Sequence, residues 1–285
     1  MAPQVAIVTG AASGIGLAVA EHLVQKGWNV AITDVNEKAG ELLAGKLGKQ
    51  SIFVRCDVTS YEQQSKVFEK TWKKWGRLDL VHANAGIADR VDFYAPQDEI
   101  ADCAPPKPDS LVVDIDLYGA IWSSYLSLHY FRKENSSNRK KLIITASSAG
   151  IYPLGEAILY TAAKHGAVGL TRALGRRIKS EKLPITVNCL CPGMVPTNII
   201  SSDMVKAFPK EMITEMSVII EAVDMVLGDD LLNGAAIECN GEQIQVRDQA
   251  PFLNDAAKFT GGGGYTDVID MDDFVKHSEM KGKMM

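Results

Sequence analysis

The chain holds 285 residues, 46% of them hydrophobic, with 30 Lys plus Arg against 35 Asp plus Glu. That is enough apolar content for one large α/β domain, or two small ones, without covalent staples. A formal charge of −5 and a pI near 5.6 offer no basic surface, so neither nucleic acid nor an anionic membrane is an expected partner.

The chain enters a β-branched run, VAIVT (5–9), almost at once, and nothing before it has the charged, apolar and small-residue succession of a secretory leader. Five cysteines (Cys56, Cys103, Cys189, Cys191 and Cys239) are odd in number, sit mostly in apolar runs and lack the paired C-x-x-C spacing of a zinc site. They read as buried thiols of a reducing compartment, and a cytoplasmic protein without a metal centre is expected.

Further strand candidates follow at 30–34, 51–55, 79–83, 141–146, 185–191 and 235–239, with helix candidates at about 13–26, 36–47, 61–75, 110–133, 157–180 and 217–227. The first helix repeats Ile15, Val19 and Leu23 at four-residue steps and meets Gly27 where a helix would stop. In LVVDIDLYGAIWSSYLSLHYF (111–131), Asp114, Asp116 and His129 interrupt the apolar run, which therefore reads as a long helix with one buried face and not as a membrane span. This alternation implies a single Rossmann-type, doubly wound parallel sheet of about seven strands with helices on both faces, over 1–247. Three stretches break the rhythm. The connection 88–109, with Pro96, Pro105, Pro106 and Pro108, is long enough for a lid; 193–216 sits where the carboxyl edge of the sheet needs a cover; the tail 248–285, with TGGGG at 260–264, either stays partly disordered or folds back over the domain.

VTGAASGIG joins the first strand to the first helix and carries Gly10, Gly14 and Gly16. Glycines there permit a tight turn and let backbone N–H groups meet a pyrophosphate at the helix N-terminus, although the spacing is G-x-x-x-G-x-G and not the generic G-x-G-x-x-G. Asp34 closes the second strand, eighteen residues past Gly16. A carboxylate at that point can accept from adenosine ribose hydroxyls and would repel the extra phosphate of NADP; the plainer alternative is a turn or N-cap residue. Neither Val35 nor Asn36 is basic and no Arg or Lys lies within GAASGIG, so NAD is the expected cofactor. Asp57, which is suited to the adenine amino group with Val58 packing on the ring, and Asn84 in ANAG both follow strands, where ligands of such sheets sit; turn chemistry accounts for each one separately.

In ASSAGIYPLGEAILYTAAKHG (146–166), Ser147, Tyr160 and Lys164 fall thirteen and then four residues apart. On a helix, the last two share a face. A phenol titrates near 10 in water, and an adjacent ammonium is what would make one useful as a base near neutral pH; a surface Tyr–Lys pair has the same spacing.

TGAASGIG, NAG at 84–86, the Ser147, Tyr160 and Lys164 set and CPGMVPT at 191–197, in this order, resemble the short-chain dehydrogenase/reductase family over about residues 4–246. YTAAKHGAVGLTRAL and DDLLNGAAIE are most similar to its NAD-linked, 15-hydroxyprostaglandin dehydrogenase-like branch. The resemblance implies that Tyr160 is the general acid/base, that Lys164 tunes it and binds the nicotinamide ribose, that Ser147 holds the substrate oxygen, and that Thr197 with the Val195 backbone holds the carboxamide. It also implies a cofactor-binding turn of Gly10, Ser13, Gly14, Ile15 and Gly16, and a homodimer or homotetramer built through the 110–133 helix, where Trp122, Tyr125 and Leu126 are candidate contacts, and the helix bearing Tyr160. A secondary alcohol and its ketone would be interconverted on a small hydrophobic substrate, for which IYPLG and MVPTNII suggest an apolar lining.

Two positions depart from the family. Asp116 stands 44 residues before Tyr160, where the family has an asparagine whose main chain shapes a helix kink and holds a water. A carboxylate there leaves three outcomes open: a tolerated change, an altered pH optimum, or weakened redox activity. Asp116 is therefore counted with the catalytic group. Ala157 replaces a glutamine of the prostaglandin enzymes, so prostaglandin itself is not assumed as substrate. An NADPH-dependent carbonyl reductase, a non-catalytic dinucleotide sensor and a partner-binding protein stand as rival readings.

Overall fold

A computed structural model describes residues 2–93, 104, 106–133 and 139–262. Cys103, Pro96 and Pro105, half of the 88–109 connection read as a lid, and the tail beyond 262 lie outside the described residues. The chain divides into two compact units, Met1–Arg247 and Asp248–Met285.

In the first unit the runs of β-branched residues form β1 (Val5–Thr9), β2 (Asn29–Asp34), β3 (Ser51–Arg55), β4 (Leu80–Ala83), β5 (Lys140–Thr145), β6 (Ile185–Pro192) and β7 (Ala236–Asn240). Their order is β3-β2-β1-β4-β5-β6-β7, all parallel. An eighth strand, β8 (Gln243–Arg247), extends the sheet beyond the expected seven and runs antiparallel to β7. Its two-residue turn starts at Gly241, whose φ of +57° is open to glycine at little cost.

Helices α1 (Gly14–Gln25), α2 (Glu37–Leu47) and α8 (Met216–Gly228) cover one face through Val19, Leu23, Leu43, Ile219 and Val223. On the other face lie α3 (Tyr61–Trp75), α5 (Gly119–Phe131) and α6 (Ile158–Ser180), burying Val67, Phe68, Tyr130, Phe131 and Ala167. The helix expected over 110–133 begins as a single turn, α4 (Leu111–Val113), passes through a π-helical turn at Asp114–Tyr118, and only then becomes α5. Leu126, a candidate subunit contact, is buried inside this core, whereas Tyr125 is 66% exposed. Within 193–216 the chain forms α7 (Ser202–Ala207). The second unit contributes α9 (Asp255–Gly262), where the Asn254 side chain accepts from the Ala257 N–H. Among the described residues no helix is long and apolar enough to cross a membrane, and no cluster of three or more His, Cys, Asp or Glu could hold a metal ion. Cys56, Cys189, Cys191 and Cys239 are free and buried.

At the amino ends of the strands, Asp79 stitches the sheet together. Its carboxylate, 1% exposed, accepts from the Val5 N–H at 2.9 Å, from Arg77 at 2.8 Å through each oxygen, and from Lys140 Nζ at 2.9 Å. Burial works to raise its pKa, but Arg77, Lys140 and the Val5 N–H outweigh burial and leave it lowered. A depressed folded value stabilises the protein above the ordinary carboxylate range, and that contribution disappears as pH falls through the folded value. Asp79→Ala is expected to cost about 3–5 kcal/mol in urea unfolding at pH 7 and to flatten the acid limb of the stability curve below about pH 4.

Candidate active site

The strand order reverses between β1 and β4, and a crevice opens there at the carboxyl ends of the strands. Thr9 and Asn84 hold its floor. Thr9 Oγ1 accepts from the Asn84 and Ala85 N–H groups at 2.8 and 3.0 Å, and Asn84 Nδ2 donates to the Thr9 carbonyl at 3.0 Å. Gly10 then turns with φ +62°, and a Cβ there would lie 2.8 Å from Ala85 Cα. Gly14, with φ +54°, faces the Thr197 side chain across the crevice. Ser13, Ile15, Asp34, Asp57, Val58, Asn84, Val195 and Thr197 line the same space. Gly16 does not; it packs behind the lining, where a Cβ would fall 2.4 Å from the Gly10 carbonyl oxygen, so it lets α1 close on the turn.

These residues suit a dinucleotide on physical grounds. Gly10 and Gly14 add no Cβ to the turn that leads into α1, where a pyrophosphate could meet N–H donors and the positive end of the helix. Asp34 accepts the Ala12 N–H at 3.0 Å through one oxygen and the Asn36 N–H at 2.9 Å through the other. Each oxygen keeps a lone pair for a diol. Asp57 takes the Thr59 N–H and hydroxyl on Oδ1, the turn role allowed for it, and still presents a face to the crevice.

At the other end Ser147, Tyr160 and Lys164 line the crevice together. Ser147 follows β5 in extended conformation, its Oγ accepting from the Ala149 N–H at 3.1 Å. Tyr160 and Lys164 share one face of α6, with Nζ 5.3 Å from the phenol ring centroid. The amine is 3% exposed and donates to the Thr145 carbonyl at 3.0 Å.

Asp116 lies outside the crevice lining but touches its cation. The π-helical turn brings Oδ2 to 3.0 Å from Lys164 Nζ, while Oδ1 accepts the Ile87 N–H at 2.9 Å. Oδ2 is buried without an aligned hydrogen bond, so its contact with the amine is chiefly one of charge. The carboxylate therefore acts directly on the lysine through its charge. Burial raises the Asp116 pKa, with Lys164 opposing; burial draws the lysine down, but Asp116 and then Tyr160 push it back up, and it ends raised. Gly86 makes room for the pair, because a Cβ there would meet Asp116 Oδ2 at 2.9 Å.

Three supporting residues had no signal in the motifs. Thr145 Oγ1 donates to Asn84 Oδ1 at 3.0 Å, so it must accept from His82 Nε2, 2.8 Å away. Burial pushes the His82 pKa down to about 3, so the imidazole is neutral at any working pH. Asp89, from the chain leaving β4, accepts the Leu159 and Tyr160 N–H groups at the start of α6.

The sequence model of the short chain dehydrogenase family matches residues 4–206. The chain belongs to the short-chain dehydrogenase family. A short-chain dehydrogenase/reductase of Penicillium rubens, prx7, is 34% identical over 86% of this chain and 94% of its own length. The 15-hydroxyprostaglandin dehydrogenase (NAD+) of Homo sapiens is 31% identical over 87% of this chain and 96% of its own. The crystal structure of 3-ketoacyl-(acyl-carrier-protein) reductase from Brucella melitensis complexed with NADH covers 84% of this chain and 97% of its own at a TM-score of 0.72. At 23% identity that likeness speaks for the fold. This short-chain dehydrogenase is thus an oxidoreductase with relatives in the 15-hydroxyprostaglandin dehydrogenase branch.

Asp116→Asn tests the ion pair. Without the anion, burial weighs more heavily and Lys164 loses its proton at lower pH, so the alkaline limb of the kcat profile should move to lower pH. Superimposable profiles would make Asp116 a tolerated change.

Proposed function

We propose that the protein is an NAD-dependent dehydrogenase that interconverts a secondary alcohol and a ketone on a small hydrophobic substrate. The observation that carries this reading is the convergence of Ser147, Tyr160 and Lys164 on one crevice, with a buried lysine amine beside the phenol. NAD, when bound, supplies an acceptor for the hydride leaving the carbinol carbon. Ser147 Oγ holds the substrate hydroxyl, and Tyr160 takes its proton as general base; the reverse reduction returns that proton from the same oxygen. Lys164 favours the charged phenol electrostatically. Of its three N–H donors one goes to Thr145 and one faces Asp116, which leaves one for a ribose hydroxyl.

Gly10, Ser13, Gly14 and Ile15 would receive the pyrophosphate, Asp34 the adenosine ribose, Asp57 and Val58 the adenine, Asn84 the middle of the cofactor, and Val195 with Thr197 the carboxamide; Gly16 supports the turn. Asp34 favours NAD over NADP because its carboxylate repels a 2′-phosphate. Ile87, Ile115, Ile199 and Ile200 line the crevice, which supports an apolar substrate.

Tyr160→Phe is expected to lower kcat by roughly two to four orders of magnitude, followed by NADH absorbance at 340 nm over a panel of hydrophobic secondary alcohols and steroids. Calorimetric affinity for NAD should stay within a few-fold, and undiminished turnover would refute the assignment. NAD should also bind more tightly than NADP, and Asp34→Ala should narrow the gap. A wild-type preference for NADP would instead favour a carbonyl reductase.

A further inference from the structure

The helix that carries Tyr160 begins without a cap of its own. Its N-cap residue is Ala157, which has no side-chain acceptor. The amides of the second and third helical residues, Leu159 and Tyr160, are those an N-cap side chain ordinarily receives. Here both donate to Asp89 Oδ2, at 2.8 and 3.1 Å, from a residue about seventy positions earlier in the chain.

The other oxygen of the same carboxylate accepts the Arg90 and Val91 N–H groups, at 3.0 and 3.4 Å, and so shapes the chain as it leaves the crevice. This stretch is fastened at two earlier points: Asn84 and Ala85 to Thr9 at the end of β1, and Ile87 to Asp116 in the π-helical turn. Asp89 is the third fastening, and it falls on α6. Lys164, one turn further along that helix, has anchors of its own in the Thr145 carbonyl and Asp116. The two functional residues of α6 are therefore held separately, the amine by the sheet and the π-turn, the phenol end by Asp89.

We propose that Asp89 is a positioning residue: its carboxylate latches the first turn of α6 to the chain leaving β4 and so fixes where the Tyr160 phenol stands relative to Ser147. The proposal rests on the acid/base reading of Tyr160 given above. Because Lys164 keeps its own anchors, loss of the latch acts on the proton-transfer geometry and not on dinucleotide affinity. Asparagine retains one acceptor oxygen, which can serve the helix amides but not also the Arg90 and Val91 N–H groups.

The test compares Asp89→Ala and Asp89→Asn with the wild type in the full chain. Hydrogen exchange, which needs no turnover, should show the Leu159 and Tyr160 amides exchanging at least tenfold faster in Asp89→Ala, with amides in the middle of α6 unchanged. With NAD and 2-octanol as the probe alcohol, Asp89→Ala should lower kcat at least tenfold while KM for NAD stays within about twofold, and Asp89→Asn should recover most of the loss. Unchanged exchange at residues 159 and 160 would overturn the latch. Faster exchange with an unaltered kcat, or a matching rise in KM for NAD, would overturn the positioning role. Absence of wild-type turnover alongside the expected exchange contrast would count against the acid/base reading of Tyr160 and leave the latch standing.

Discussion

The site depends on keeping an ammonium group charged where almost no water reaches it. A buried amine loses much of its hydration, and the structure compensates with one carbonyl and one carboxylate: Lys164 Nζ lies 3.0 Å from the Thr145 oxygen and 3.0 Å from Asp116 Oδ2. Much of the surrounding architecture serves that arrangement. The π-helical turn at Asp114–Tyr118 aims the carboxylate inward, and Gly86 gives it space. The Ile87 N–H steadies its far oxygen. An asparagine at position 116 would be a neutral neighbour; the carboxylate makes the lysine part of a closed ion pair and ties its charge state to its partner's.

The sheet was legible because its central strands are buried on both faces and therefore read as continuous apolar, β-branched runs. VAIVT and SIFVR match the observed strands residue for residue, and the remaining five differ by a residue at one or both ends. The missed strand β8, QIQVR, is mostly exposed and polar, and its signal was the weaker one of alternation after a Gly-Glu turn. Tertiary context also decided the 110–133 helix. Helical periodicity cannot report a π-turn, because the extra residue is accommodated by what Asp116 must reach.

The crevice was similarly legible in part. Glycines and strand-end carboxylates declare themselves through local rules, and Gly10, Gly14, Asp34 and Asn84 come together as those rules imply. Gly16 carries the same motif signature but answers to helix-on-strand packing. Asp89, Thr145 and His82 were invisible because their partners are long-range, and no spacing rule spans such separations. Leu126 shows the opposite failure. Its place beside Trp122 and Tyr125 suggested a surface, but helix geometry turns it into the core.

The line from His82 through Thr145 to Asn84 has a fixed polarity. Asn84 must point its amide nitrogen at the carbonyls of Thr9 and Gly10, so its oxygen receives the threonine proton and the imidazole has to be the donor. An imidazole that ionises only near pH 3 can keep that single tautomer throughout the range in which the protein is folded and working. The junction between β1 and β4 thereby keeps one hydrogen-bond polarity whatever the acidity of the crevice, while the charged pair of Lys164 and Asp116 lies on the far side of Thr145.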